Sequence, residues 1–361
     1  MKIILDNLIF ALQKSGGISV VWYELLSRLM RTCHLIQHIN YPNDNLFCKE
    51  LAFKDTDIIK MENSFLLSIK RYLNPFLKNN HPFIFHSSYY RTCGNTNAVN
   101  ITTVHDFTYE HYEHGLKRWI HSWQKNRAIR NSDYVICISE NTKKDLLTFL
   151  PDVDENKIRV IYNGVSDDYY LKKEICKLNI PFEPKKYVLF VGARNEYKNF
   201  KLSVQTISNT DLKLVIVGPP LTEDETKFVD ETLRGTNKYY CTGRISNNEL
   251  NDLYNCAYAL LYPSVYEGFG IPVVEAQKAG CPVIAYNASS IPEIIGETPL
   301  LLDKLSIDEI VKRINLLKDI QIRDRIIAKG LENSRRFTWD RMYKQVIELY
   351  EEAWTKKSIK E

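Results

Sequence analysis

Short β-branched runs alternate with helix-length amphipathic segments from one end of the chain to the other. The runs at 3–5, 83–85, 101–104, 134–138 and 159–162 form one series. Those at 187–191, 213–217, 239–241, 257–262 and 282–285 form a second. Most are continuously apolar rather than alternating, the pattern of parallel strands covered by helices on both faces. An α/β chain of this kind folds as doubly wound parallel sheets that bind ligands beyond the carboxyl ends of the strands. The rhythm breaks over 166–186, a polar stretch with Pro181 and Pro184 and no apolar period, which reads as a linker. With 361 residues, the chain divides into two Rossmann-like domains, 1–180 and 181–335. A terminal segment, 336–361, carries Met342, Val346, Leu349 and Tyr350 at helical spacing between Trp339 and Trp354.

Composition narrows the function classes. Hydrophobic residues make up 44% and charged residues 25%, an ordinary globular balance that excludes disorder and collagen. A net charge of only +4 gives no case for nucleic-acid binding. The eight cysteines, at 33, 48, 93, 137, 176, 241, 256 and 281, contain no C-x-x-C pair, so neither a zinc ribbon nor a redox motif is indicated. Cys137 and Cys281 lie in apolar runs as small hydrophobes. Asp6 interrupts the first apolar run too early for a signal peptide, and no stretch is long enough to span a bilayer. A reducing cytoplasm is the expected compartment, with any membrane contact made from the side.

Glycine is scarce, at 14 residues, so its clusters carry information. Gly16-Gly17 lies between the first strand and an amphipathic helix, where bare N–H groups and the helix dipole suit a phosphate, or simply form a tight turn. Gly192 leaves the 187–191 strand, and Arg194 and Lys198 follow it four residues apart. An Arg fork and a Lys point charge can neutralise a diphosphate, although surface loops also carry such residues as solvated charge. The densest constellation runs from Tyr262 to Gly280. Glu267 precedes Gly268-Phe269-Gly270, Ile271-Pro272 suits the first turn of a helix, and Glu275 follows within it. Amides at 268–271 and two carboxylates thus converge on a small volume suited to sugar hydroxyls or phosphate oxygens.

Gly243 through Glu297 resembles the donor-binding half of a GT-B glycosyltransferase of the large retaining family four, whose hallmark is two glutamates at the spacing of Glu267 and Glu275. Gly192-x-Arg194 with Lys198-Asn199, Val160 to Val165, Thr103-Val104-His105-Asp106, Gly16-Gly17 and Phe337-Thr338-Trp339 extend the likeness over almost the whole chain. The resemblance implies two Rossmann-like domains facing across a cleft, with the C-terminal helix packed back on the N-terminal domain. It implies that Arg194 and Lys198 clamp the diphosphate of a nucleotide sugar while Gly16 and Gly17 approach it. Glu275 would take the ribose hydroxyls, and Glu267, Gly268, Phe269, Gly270 and Ile271 the sugar. Gly243 to Asn247, with Ile245 and Asn247, would lie against the base, and His105 near the sugar O6 hydroxyl. Likeness of Leu5-Asp6-Asn7 and Gly16 to Ser19 to bacterial O-antigen mannosyltransferases favours GDP-mannose over a UDP-sugar.

The implied reaction transfers a hexose with retention to an oligosaccharide or lipid-linked acceptor in surface-polysaccharide (O-antigen or capsule) assembly. Catalytic weight falls on His105, Glu267, Arg194 and Lys198, and no metal or other cofactor is expected. Asp55-x-Asp57 and Asp152-x-Asp154 match a metal-binding D-x-D pattern formally, but neither follows a convincing strand. Residues 114–132 hold Lys117, Arg118, Trp119, Trp123, Lys125, Arg127 and Arg130 without an acidic residue. Such a segment suits an anionic membrane surface, at the inner face of the plasma membrane, or a domain helix with its tryptophans in the core. A sugar-nucleotide epimerase, a phosphorylase and a non-catalytic nucleotide-sugar-binding partner are the alternatives. The two-glutamate loop argues against the epimerase, length against the phosphorylase, and the intact Arg194, Lys198, Glu267 and Glu275 against the binding partner.

Overall fold

The computed structural model describes residues 1–62, 67–174 and 178–359. Cys176, one of the eight cysteines, lies outside them; the other seven are free thiols, and Cys137 and Cys281 are buried as expected.

The chain forms two compact units, Met1–Gly164 with Trp339–Glu361, and Val165–Thr338. The first holds a seven-stranded sheet of β1 (Lys2–Asp6), β2 (Leu35–Asn40), β3 (Ile58–Met61), β4 (Phe83–Ser87), β5 (Ala98–Val104), β6 (Tyr134–Cys137) and β7 (Ile158–Val160). The strand order is β3-β2-β1-β4-β5-β6-β7, and neighbours run parallel throughout, with Ile3 beside Ile36 and Ile84. Its helices are α1 (Leu8–Leu12), α2 (Gly17–Leu29), α3 (Leu67–Lys70), α4 (Thr108–Tyr112), α5 (Gly115–Asn131) and α6 (Glu140–Phe149). Alternate residues of one strand enter different cores. Ile3, Leu5 and Ile84 join α2 on one face, while Ile4, Phe83 and Phe85 join Leu8 and Ile39 on the other. A strand that is apolar at every position is what such a two-sided sheet requires.

The second unit holds a six-stranded parallel sheet ordered β10-β9-β8-β11-β12-β13. Its strands are β8 (Tyr187–Val191), β9 (Lys213–Val217), β10 (Tyr239–Gly243), β11 (Ala259–Tyr262), β12 (Val283–Tyr286) and β13 (Leu301–Leu302). Its helices are α7 (Phe200–Ser208), α8 (Glu223–Leu233), α9 (Asn247–Cys256), α10 (Ile271–Lys278), α11 (Ile291–Ile295), α12 (Ile307–Leu316) and α13 (Ile320–Ser334). Val188, Phe190, Leu214, Ile216, Leu261 and Ile284 fill one core with α7, α8 and α12.

The terminal helix α14 (Trp339–Ser358) returns to the first unit. Its buried Trp339, Met342, Val346, Leu349 and Tyr350 share a core with Val21, Trp22, Leu25 and Leu26 of α2. Each such side chain contributes about 1.5–3 kcal/mol relative to exposure. The Tyr350 hydroxyl lies 2.6 Å from His86 Nδ1, pinning the helix to β4.

Two expectations need correction. The first unit ends at Gly164, not near 180. The polar stretch that follows is held by the second unit: the Tyr170 and Lys172 amides donate to Asn251 and Asn255 of α9, at 3.1 and 2.8 Å, and Lys278 Nζ donates to the Ser166 carbonyl at 2.9 Å. Strands β2, β3 and β13 were not expected. Gln37, His38 and Asn40 break the apolar run of β2, and β3 is an edge strand exposed at alternate positions.

Candidate active site

In the second sheet the strand order reverses between β8 and β11, so the loops leaving those strands diverge and open a crevice. Lys198 comes from the first loop and Glu267 from the second. They meet at 2.5 Å between Nζ and Oε1, with side chains 14% and 12% exposed. The Tyr262 hydroxyl also hydrogen-bonds Glu267. The two loops are fastened directly: the Val265 amide donates to the Tyr197 carbonyl and Asn199 Nδ2 to the Pro263 carbonyl, both at 2.9 Å. Beneath Glu267, Ser289 Oγ accepts from its amide at 2.9 Å, while Ser289 and Ser290 donate to its carbonyl at 2.5 and 2.9 Å.

Gly270 turns the chain into α10 with φ +94°, a conformation that favours glycine, and a Cβ there would stand 2.8 Å from Ile291 Cδ1, which would have to shift. Phe269 is buried edge-on against Phe337, their rings 5.5 Å apart, and aims the turn. The helix opens with Ile271-Pro272, as expected. Its N-terminus brings partial positive charge beside the Lys198–Glu267 pair.

Glu275 lies beyond the first turn of α10, so complementing the dipole does not account for it. Tyr254 donates to its Oε2 at 3.1 Å and Tyr169 forms a second hydrogen bond. Burial pushes its carboxyl up to about 7, with both hydroxyls pulling it back. A half-neutral carboxylate under two buried tyrosines is costly for the fold alone and suits a diol that comes and goes.

Other expected residues are placed differently. Arg194 does not share the Lys198–Glu267 cluster. Its Nε donates to Glu225 at 2.8 Å, and its terminal nitrogens donate to the Pro219 and Pro220 carbonyls at 2.9 and 2.7 Å, leaving the side chain 7% exposed. It thus clamps the loop after β9 onto the capping box of α8, in which Thr222 and Glu225 take part. Asn247 likewise uses both ends of its amide within the unit, donating to Asp168 at 2.9 Å and accepting from Tyr169 at 3.2 Å. Ile245 is partly buried in the loop between β10 and α9.

In the first unit, Gly16 has φ 174°, extended backbone that any residue adopts, although a Cβ there would press on the Gln13 side chain at 2.6 Å. A Cβ on Gly17 would meet nothing within 4 Å. The fold therefore makes no demand for glycine at 17. His105, following β5, lines an apolar cavity with Ile18, Trp22, His86, Ser88 and Asn163. Its ring has no hydrogen-bond partner among the described residues, and burial lowers it to about 4, so it stands neutral. The Asp55 and Asp57 pair sits in a turn before edge strand β3, and Asp152 is paired with Arg130. Among the described residues no group of three or more potential ligands could hold a metal ion.

Sequence comparison matches residues 15–169 to the Glycosyltransferase Family 4 model and residues 172–330 to the model for group 1 glycosyl transferases. The chain belongs to the group 1 glycosyltransferases. This glycosyltransferase is 27% identical over 276 residues to O-antigen chain mannosyltransferase B of Escherichia coli, a stretch covering 69% of each chain. It is 29% identical over 224 residues to the O-antigen chain mannosyltransferase RfbU of Salmonella typhimurium, covering 60% of this chain and 61% of the relative. Its fold matches sucrose-phosphate synthase from Thermosynechococcus elongatus with a TM-score of 0.75, 18% identity and coverage of 98% and 99% of the two chains. Anabaena HepE in complex with UDP-glucose matches with a TM-score of 0.70, 16% identity and coverage of 97% and 99%. These neighbours make the fold GT-B, as the resemblance implied. Sequence reasoning missed the supports of the site, Tyr169, Tyr254, Tyr262, Ser289 and Ser290. Each is one of many such residues, and only contact with a glutamate distinguishes it.

Proposed function

We propose that this glycosyltransferase moves a hexose, mannose from GDP-mannose as first choice, from a nucleotide sugar to a glycan or lipid-linked glycan in bacterial surface-polysaccharide assembly, with retention and without a metal. The observation that carries the reading is the Lys198–Glu267 pair at the crevice between β8 and β11, beside the N-terminus of α10. Breaking the bond between the anomeric carbon and the phosphate oxygen leaves a nucleoside diphosphate, whose negative charge must be met as it forms. Lys198 and the amides at the start of α10 supply that positive charge from fixed positions. Glu267 then exchanges its lysine partner for sugar hydroxyls, and Glu275, once ionised, accepts from the ribose diol. The acceptor hydroxyl adds to the anomeric carbon on the face the diphosphate leaves, and its proton passes to the departing phosphate oxygen. His105, neutral and with no ring hydrogen bond among the described residues, is the first unit's candidate for holding a sugar hydroxyl. The HepE complex supports a nucleotide sugar as the ligand class, and the two O-antigen relatives support mannose and the pathway.

The acceptor side carries a second proposal, contact with an anionic membrane surface through α5. This helix is turned inside out: His121, Gln124 and Lys125 are buried, while Leu116, Trp119 and Trp123 are exposed by 70%, 64% and 44%. Trp119, Trp123 and Phe149 line a groove with Arg118, Arg127 and Arg130, and Arg118 has no partner among the described residues. Exposed tryptophans among arginines favour an interface of lipid and anionic headgroups over a packed core. No helix among the described residues is long and apolar enough to cross a membrane.

Proton NMR of the purified protein with GDP-mannose and with UDP-glucose, in the presence of a glycan acceptor, tests the reading. The expected result is loss of the donor anomeric signal and growth of a glycoside signal of the same configuration. Epimerised nucleotide sugar, or an inverted product, would overturn it.

A further inference from the structure

The loop that carries His105 is braced by a charge that no stability argument requires. Lys125 on α5 is fully enclosed, its side chain 0% exposed, and its ammonium does two things. It donates to the Asp106 carbonyl at 2.9 Å and to Glu110 Oε2 at 2.6 Å. It also sits 3.9 Å from the centre of the Phe107 ring. The other oxygen of Glu110 accepts from Ser122 at 2.7 Å, so the carboxylate is itself held by α5. Asp106 Oδ1 accepts from the Thr108 amide at 3.0 Å, closing the turn after His105. Phe107 stacks on Phe149, rings 5.4 Å apart and 17° from parallel, and Tyr109 stacks on His121 at 3.7 Å. The buried Tyr90 hydroxyl bonds to the His105 backbone.

A buried ammonium–carboxylate pair pays heavily in lost hydration, and well-packed apolar residues in its place are often as stable or more so. What apolar residues cannot do is donate to a carbonyl. The Lys125 bond to the Asp106 carbonyl fixes the Asp106–Phe107 peptide, one residue past His105, and so holds the turn from which the imidazole leaves the end of β5. We propose that Lys125, braced by Glu110, is a positioning residue for His105, a role that rests on His105 holding the donor sugar. Nothing else bonds the His105 ring among the described residues, so its aim depends on the backbone beneath it.

The test uses the full-length protein and removes both charges together, Lys125→Met with Glu110→Leu, so that neither is left buried alone. His105→Ala and the triple variant accompany it. The double variant is expected to stay folded and to bind nucleoside diphosphate as before. Its kcat should fall about tenfold with the donor KM little changed, because a reacting group misplaced by about an ångström costs rate rather than binding. Two groups acting through one another are non-additive, so the triple variant should lose no more than about twofold beyond His105→Ala. The imidazole nitrogen signals of His105, assigned by their absence from His105→Ala, should move in the double variant. Losses that multiply in the triple variant, or an unmoved His105 signal in a folded double variant, would overturn the proposal. Full turnover by His105→Ala would defeat the assigned role of His105 and the kinetic consequence drawn from it, while the ring signal would still decide whether Lys125 positions it.

Discussion

Replacing Glu275 with glutamine separates a carboxylate retained for a ligand from one retained for the fold. Burial raises its carboxyl from 4.5 to about 7 in the folded protein. Between those pH values the folded chain holds a proton that the unfolded chain releases, so stability falls as pH rises from 4.5 to 7 and stays at the lower level above. A shift of that size corresponds to about 3 kcal/mol. Glutamine carries no charge to desolvate and still accepts from Tyr254. Glu275→Gln should therefore melt with the wild type near pH 4.5 and, above pH 8, melt higher by roughly 6–12 °C, the response of a body of 150–250 residues to such a change. Scanning calorimetry of the ligand-free protein from pH 4.5 to 8.5 measures this. Nucleotide binding runs the other way. A diol donates to the ionised form, so binding expels a proton and wild-type affinity for a nucleoside diphosphate rises with pH through 7. The variant should bind more weakly and without that slope. A melting difference independent of pH, or a variant with the wild-type binding profile, would refute the assignment of Glu275 to the ligand.

Arg194 and Lys198 should part company. Arg194→Ala frees two proline carbonyls and Glu225, so thermal melting should show a loss of about 2–3 kcal/mol, with turnover reduced by less than Lys198→Ala reduces it. Lys198→Ala should cut turnover by about a hundredfold or more, as loss of a preorganised charge at a developing anion does, measured by donor consumption. Acid should attack the first unit before the second. Burial lowers His38, His105 and His121 to about 4 and His86 to about 3, whereas unfolded histidines take up protons near 6.5. Stability of that unit should thus fall as pH drops below about 6.5, by several kcal/mol at pH 5, seen as early loss of tertiary circular dichroism. Trp119→Ala with Trp123→Ala should reduce cosedimentation with vesicles containing anionic lipid while leaving melting within a degree or two, since exposed side chains contribute little to the fold; binding indifferent to anionic lipid would dispose of the membrane reading.

The doubly wound architecture was legible because strands buried on both faces are apolar along their buried length, as in Tyr187–Val191 and, after its first residue, Lys213–Val217, both observed with the expected limits. The start of α10 was legible for a similar reason, since Gly270 and Pro272 each have few other places to stand. Polar strands such as β2 were hidden, because His38 and Asn40 are buried through a network with Asn7 that only the fold assembles. The contacts that Arg194 makes within the chain were equally out of reach. An arginine in a ligand-facing loop reads the same whether its fork meets a phosphate or two carbonyls from the next loop. The tryptophans of α5 could be read either way from periodicity, since the helix mixes charged and aromatic residues on both faces, and only burial shows that Lys125 went in and Trp119 stayed out.

Topology alone does not place the site. Both sheets reverse their strand order, between β1 and β4 in the first unit and between β8 and β11 in the second, and each reversal opens a crevice at the carboxyl ends. In the first unit the carboxylate at that crevice is bonded from within. The Asp6 carboxylate accepts from Tyr41 at 2.7 Å and Ser87 at 2.9 Å, and Arg91 lies 3.4 Å away, with Asp6 0% and Arg91 4% exposed. A carboxylate so fully satisfied has nothing to offer a ligand. At the crevice of the second unit Glu267 has a single lysine and a tyrosine, at the mouth of a helix and still reached by solvent. The difference between a structural network and a binding site is thus the number of partners the carboxylate already has. By that criterion Glu267→Gln should abolish transfer while leaving the second sheet folded, whereas Asp6→Asn should unfold the first unit, and circular dichroism of the two variants distinguishes the outcomes.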